Sequence, residues 1–247
     1  MADFTDLIER FWDALSRWAV PVMMTLAYAF LALTSETNTT GKAWMAAGLV
    51  LVMVVWFTFR ALTTSAALSR ALSVGDIAKL FELAEQPLAR RGRPPRRARF
   101  LVARGLAHLL RGEHAAALAA LDEAPPPPDL QSLATTLRIV LLIELHRPVD
   151  PTDLAVRAPR APWLAWLADG LLAWRADRFD DAAPLLARVT DDVRAGSALR
   201  AIAHLYAARL ADARGDLAAA GRHRASATEL ADPDAAWLRG EPAPPPA

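Results

Sequence analysis

The side chains best suited to proton transfer or metal ligation in this chain are five histidines: His108, His114, His146, His204 and His223. A helical zinc site needs two ligands one turn apart, as in His-Glu-x-x-His, because residues i and i+4 share a helix face. No two of these histidines are four residues apart, and that pattern is absent. His108 and His204 fall at packing positions of a repeat described below, which favours structural roles. The carboxylate pairs Asp180/Asp181 and Asp191/Asp192 are adjacent in sequence. Neighbours on a helix point in different directions, so neither pair makes an acid–base dyad. Gly41-Lys42 ends like a phosphate loop, but Ala43 stands where Ser or Thr would hold magnesium, and the earlier glycine is missing. No Gly-x-Ser-x-Gly elbow or Gly-x-Gly-x-x-Gly turn occurs. Cysteine is absent, which removes disulfides, thiol nucleophiles and zinc–thiolate sites. The sequence therefore predicts no catalytic residue, no cofactor and no metal, and a non-enzymatic role.

Charge concentrates at Arg90, Arg91, Arg93, Arg96, Arg97 and Arg99, a run with two prolines and no acid. The first five are candidates for anionic lipid contact, at about 1 kcal/mol per basic residue near a membrane surface. A plain solvated loop is the alternative. Nucleic acid is disfavoured: the net charge is only +1, and no aromatic sits among these arginines to stack a base.

The elements that must position these residues begin with two apolar runs, Trp18–Leu33 and Ala43–Phe59, separated by a short polar link. At 1.5 Å per residue they reach roughly 24–26 Å, against about 30 Å of hydrocarbon, and apolar neighbours extend them. Neither contains Asp, Glu, Lys or Arg, which argues against an ion path. Trp18, Trp44 and Trp56 lie near the run ends, where indole favours the headgroup layer. The reading is a transmembrane hairpin over 18–62, with spans near 18–33 and 43–61. A signal peptide is disfavoured by the acids before the first run, and buried core helices by the lack of a polar face on the second. A hairpin dipping into one leaflet is a further alternative. Ala46, Ala47 and Gly48 form a small patch suited to close helix packing. Residues 1–17 carry one apolar stripe, with Asp3, Asp6, Glu9 and Asp13 opposite, and predict an amphipathic helix. Arg10, Arg17, Arg60 and Arg70 flank the hairpin, whereas the link has only Lys42. That bias predicts both termini in the cytoplasm.

Beyond the hairpin, alanine is abundant and strand signals are scarce, so the expected class is all-α. Turn motifs recur at Gly75-Asp76, Gly112-Glu113, Asp177-Arg178 and Gly215-Asp216, with a degenerate turn near Leu145-His146-Arg147-Pro148 inside the longest gap. A spacing of about 34 residues marks a helix–turn–helix array. Its units place Leu101, Gly105 and His108 before Ala117, Leu121 and Ala124; Trp166, Gly170 and Ala173 before Ala182, Leu186 and Val189; and His204, Ala208 and Ala211 before Ala220, Arg224 and Ala227. In this pattern the chain resembles the tetratricopeptide repeat family over residues 73–232. His108, Ala173 and Ala211 stand where that family has aromatics, and Arg224 where it has a bulky apolar residue. The unit after Leu130 has a good first helix, Gln131–Leu145, and a second one bracketed by prolines. Residues 233–247 are expected to form a Pro/Ala-rich disordered tail.

The resemblance implies an α-solenoid whose first helices line a concave face. Candidate contacts there are Trp174, Arg175, Tyr206, Arg209 and Arg99; Trp, Tyr and Arg dominate interface hot spots. The expected ligand is an apolar helix or extended peptide of a protein partner. With an Ala- and Arg-rich composition typical of high-GC bacteria, the expectation is a scaffold or adaptor on the cytoplasmic face of a bacterial inner membrane. The alternative is an accessory subunit of a membrane complex that binds mainly through its hairpin.

Overall fold

The computed structural model describes residues 48, 50–52, 54, 63–85, 94–149 and 158–240. Every regular element among them is helical, so the all-α expectation holds. The chain divides into two units, Met1–Thr64 and Ser65–Ala247. In the first, Gly48, Val50, Leu51, Val52 and Val54 are helical and exposed. The amphipathic stretch 1–17, the first span and most of the second, with Ala46 and Ala47, lie outside the described residues. Among the described residues no helix is long and apolar enough to cross a membrane.

The helices from residue 63 on are α1 (63–74), α2 (Ile77–Glu85), α3 (Pro94–Arg111), α4 (His114–Asp122), α5 (Gln131–Glu144), α6 (Pro162–Arg175), α7 (Phe179–Asp191), α8 (Gly196–Ala213) and α9 (Leu217–Leu230). Each helix packs chiefly on its sequence neighbours, most extensively in the hairpins α3/α4, α6/α7 and α8/α9. The pairing follows from the turns. After α3, α5, α6 and α8 the chain takes a left-handed residue, at Gly112, His146, Asp177 and Gly215. In all four, that residue donates to the carbonyl three back, and the next N–H donates to the carbonyl five back. This double bond caps the helix and reverses the chain. His146 and Asp177 hold φ of 52° and 56° without being glycine, a conformation that costs an L-residue about 1–2 kcal/mol. The degenerate turn expected at 145–148 is therefore a full member of the series. Asp76 and Asp216 then cap the following helices, their carboxylates accepting from Lys79 N–H at 2.8 Å and Ala219 N–H at 2.9 Å.

Inside two hairpins a glycine lets the helices meet. A Cβ on Gly105 would lie 2.8 Å from Leu121 Cδ2, and one on Gly170 would lie 3.2 Å from Leu186 Cδ2. The two pairs have the same offset along the chain, so α3/α4 and α6/α7 share one packing geometry. Leu106, Leu109, Leu110, Leu164, Leu171 and Ile202, which the repeat frame places on the concave side, are buried core.

Two boundaries differ from expectation. The packed unit begins before residue 73, because Leu68 and Ala71 of α1 join the core. The expected tail from 233 is also too long. Ala235, Trp237 and Leu238 are buried, and Trp237 N–H donates to Leu110 O at 3.3 Å. A short apolar segment between Pro233 and the proline-rich end has a core gap to fill, and composition averaged over 233–247 hides it; residues 241–247 lie outside the described residues. Another far-reaching contact joins the Ser73–Gly75 turn to the start of α8. Ser197 Oγ donates to Val74 O at 3.0 Å. A Cβ on Gly196, at φ 74°, would sit 2.4 Å from Ser73 O.

Candidate functional site

Glu144 closes α5, a helix whose last two turns are otherwise almost wholly apolar. Tyr206 and Arg209 sit three apart on α8 and so share a face. The fold brings them to the same carboxylate. Tyr206 Oη donates to Glu144 Oε1 at 2.6 Å. Arg209 Nη1 donates to that same oxygen, and Nη2 to Oε2 at 3.3 Å. The guanidinium lies 4.9 Å from the Tyr206 ring centre, and Trp174 meets that ring edge-on at 5.2 Å. Burial pushes the Glu144 carboxyl up, but the Arg209 guanidinium and the Tyr206 hydroxyl outweigh it, and the group stays below its usual range. Burial, reinforced by the Glu144 charge, drives the Tyr206 hydroxyl well above its ordinary value. Glu144 is therefore a fixed anion and Tyr206 a fixed donor; neither is poised for proton transfer.

Beside this triad opens a cleft of about 310 Å³, lined by Ile143, Glu144, His146, Trp174, Arg175 and Arg209. Trp174 Nε1 is buried without an acceptor. An unpaired buried donor costs about 1–3 kcal/mol. Behind the triad, His114 packs edge-on against Trp237 at 5.6 Å. Burial lowers the pKa of His114, partly offset by the Glu144 charge.

Of the residues expected on a concave face, Trp174, Arg175 and Arg209 come together in the cleft. Tyr206 does not belong with them as an exposed contact: it is 0% exposed, because its ring is covered by Trp174 and Arg209 and its hydroxyl is spent on Glu144. Arg99 lies on α3, pairs with Asp129 at 2.9 Å, and does not line the cleft. Arg97 pairs with Glu123. Two of the six arginines of the basic run are thus met by acids distant in sequence. Arg96 falls in the first turn of α3, and Arg90, Arg91 and Arg93 lie outside the described residues. Gly48 is exposed, and a Cβ there would meet nothing within 4 Å.

Sequence reasoning missed Glu144, Ile143 and His146. A signal existed for Glu144: an acid ending the run Ile139–Ile143 needs a cation or donors once that run is buried. Nothing local points to Arg209 as the partner. Among the described residues no group of three or more His, Cys, Asp or Glu side chains could hold a metal ion. The cleft offers an indole wall, an aliphatic floor and charged edges. No protein-family model, curated protein or solved structure matches the chain.

Proposed function

We propose that this protein is a membrane-tethered adaptor: a tetratricopeptide-like solenoid that docks a protein partner, held at the cytoplasmic face of a bacterial inner membrane by the hairpin 18–62. The observation that carries the docking role is the half-buried Trp174 ring in the wall of the cleft, beside Ile143, Arg175 and Arg209. A helix or extended segment laid there supplies apolar side chains to Ile143 and Trp174. The shared turn geometry and the matched Gly105/Leu121 and Gly170/Leu186 contacts support the repeat reading. The uninterrupted apolar runs support the anchor. Tethering adds binding strength by raising the partner's effective concentration. Arg90, Arg91, Arg93 and Arg96 are proposed to meet anionic headgroups.

A second reading makes the hairpin the working surface and the chain an accessory subunit of a membrane complex. The exposed Val50, Leu51, Val52 and Val54, with the open face at Gly48, favour it. Co-purification from cross-linked membranes separates the two. Trp174→Ala with Arg175→Glu abolishes partner recovery if the cleft docks it. Gly48→Leu abolishes recovery instead if the hairpin does. Recovery unaffected by either change defeats both readings.

A further inference from the structure

The charges lining the cleft do not balance. Its acid is Glu144, and its arginines are Arg175 and Arg209. Glu144 is spent, because the Tyr206 hydroxyl at 2.6 Å and the Arg209 guanidinium both donate to it. That leaves Arg175, the last residue of α6, directly after Trp174 and exposed. Among the described residues no carboxylate forms an ion pair with it. Acids on the flanking helices have other partners: Asp180 meets Arg214, Asp181 meets Arg178, and Asp212 meets Arg224. Asp177, two residues on, is exposed and makes no ion pair with Arg175. The carbonyls that end α6 also have their donors: Leu172, Ala173 and Trp174 accept from the N–H groups of Ala176, Asp177 and Arg178. His146, the remaining polar residue of the lining, brings no negative charge. An uncompensated guanidinium thus stands at the edge of an apolar wall made by Trp174 and Ile143.

We propose that the cleft takes an acidic, apolar, internal segment of a protein partner. A large apolar side chain lies against Trp174 and Ile143, and an Asp or Glu beside it pairs with Arg175. This partner chemistry rests on the docking reading above and adds the charge and size of what docks. A guanidinium meets a carboxylate with two parallel N–H···O bonds. Such a pair is weak when fully exposed, and it strengthens as the apolar contact beside it displaces water. The volume, about 310 Å³, sits at the small end of ligand clefts, which run about 300–1,000 Å³. It has room for individual side chains and not for the face of a helix, which selects a short extended segment. One guanidinium serves one carboxylate. An acidic residue at a chain end carries two and leaves one unpaired, whereas an acidic side chain within a segment fits. A basic segment meets Arg175 and Arg209 with no free acid to receive it, and is rejected.

The test uses purified full-length chain in detergent micelles and a phage library of random dodecapeptides displayed as internal loops. Sequences enriched on the wild type are expected to pair a large apolar residue with Asp or Glu and to lack Lys and Arg. On Arg175→Glu the charge preference reverses. The best peptide is then synthesised with capped ends and read by fluorescence anisotropy. Replacing its acid by the matching amide weakens binding to the wild type about 3–10-fold, and binding to Arg175→Gln by less than about 1.5-fold. Arg175 is exposed, so both variants keep the fold, which melting curves check. Peptides lost on Trp174→Ala that show no acidic preference overturn the proposal and leave the docking reading intact. Should the alanine variant not fold, weakened binding to Trp174→Phe serves as that control. Binding that ignores Trp174, or a library with no enriched sequence, defeats the docking reading and the proposal with it.

Discussion

Replacing Arg209 by Met tests the account of the buried triad most sharply. Methionine keeps much of the apolar stem and removes the charge. The Glu144 side chain is only 11% exposed, so its carboxylate is left with Tyr206 as its one remaining donor within the triad. Removing one partner of a fully buried pair costs about 3–5 kcal/mol. Here one Arg209 bond is close and the other is long, at 3.3 Å, and the arginine itself is 33% exposed, so water reaches the gap. The expected loss is therefore about 2–3 kcal/mol. For a unit of this size that is a fall in Tm of about 4–12 °C. The pH dependence carries the sign. In the wild type the folded pKa of Glu144 is depressed, so its contribution is complete above the unfolded value near 4.5 and is lost as pH falls through the folded one. Without Arg209, burial dominates and the folded pKa rises above the unfolded one. The penalty is then greatest at pH 7–8 and shrinks as pH falls toward 4.5. Adding Glu144→Gln, which still accepts from Tyr206, recovers most of the loss at pH 7. Urea unfolding followed by tryptophan fluorescence, with Trp174 beside the triad as reporter, gives each value. A penalty that is flat with pH, or additive costs in the double variant, would refute the reasoning.

Two further outcomes follow from packing. Gly105→Leu, at the 2.8 Å approach to Leu121, should destabilise by roughly 1–3 kcal/mol, whereas Gly221→Ala, in α9 with nothing within 4 Å of the added Cβ, should stabilise by about 1 kcal/mol; thermal melts compare them. Trp237→Ala should cost about 3–5 kcal/mol and expose the amide of Leu238 and its neighbours to hydrogen exchange, because Trp237 packs on His114 and bonds to Leu110.

Much of the helical unit is legible in local sequence. The Gly-Asp pairs at 75–76 and 215–216 encode a left-handed cap and the next helix's N-cap in two adjacent residues. The Gly105 and Gly170 positions announce a close helix crossing because a small residue lets the backbones approach. Even His146 could be placed by spacing alone, although its type gives no hint of a left-handed turn. Ambiguity arises where composition replaces pattern. Ala235, Trp237 and Leu238 sit beside a proline-rich end that disguises them, and Leu68 and Ala71 sit beside a long apolar run.

By itself the sequence determined the helical class and where most of the turns fall. Those depend on periods of a few residues and on backbone preferences that each residue carries with it. Only the tertiary structure decided that Glu144 meets Tyr206 and Arg209 from 62 and 65 residues away, that His204 faces His223, and that the turn at Ser73 reaches Gly196. Such meetings depend on how successive helices are rotated against one another, and no short stretch of sequence records that.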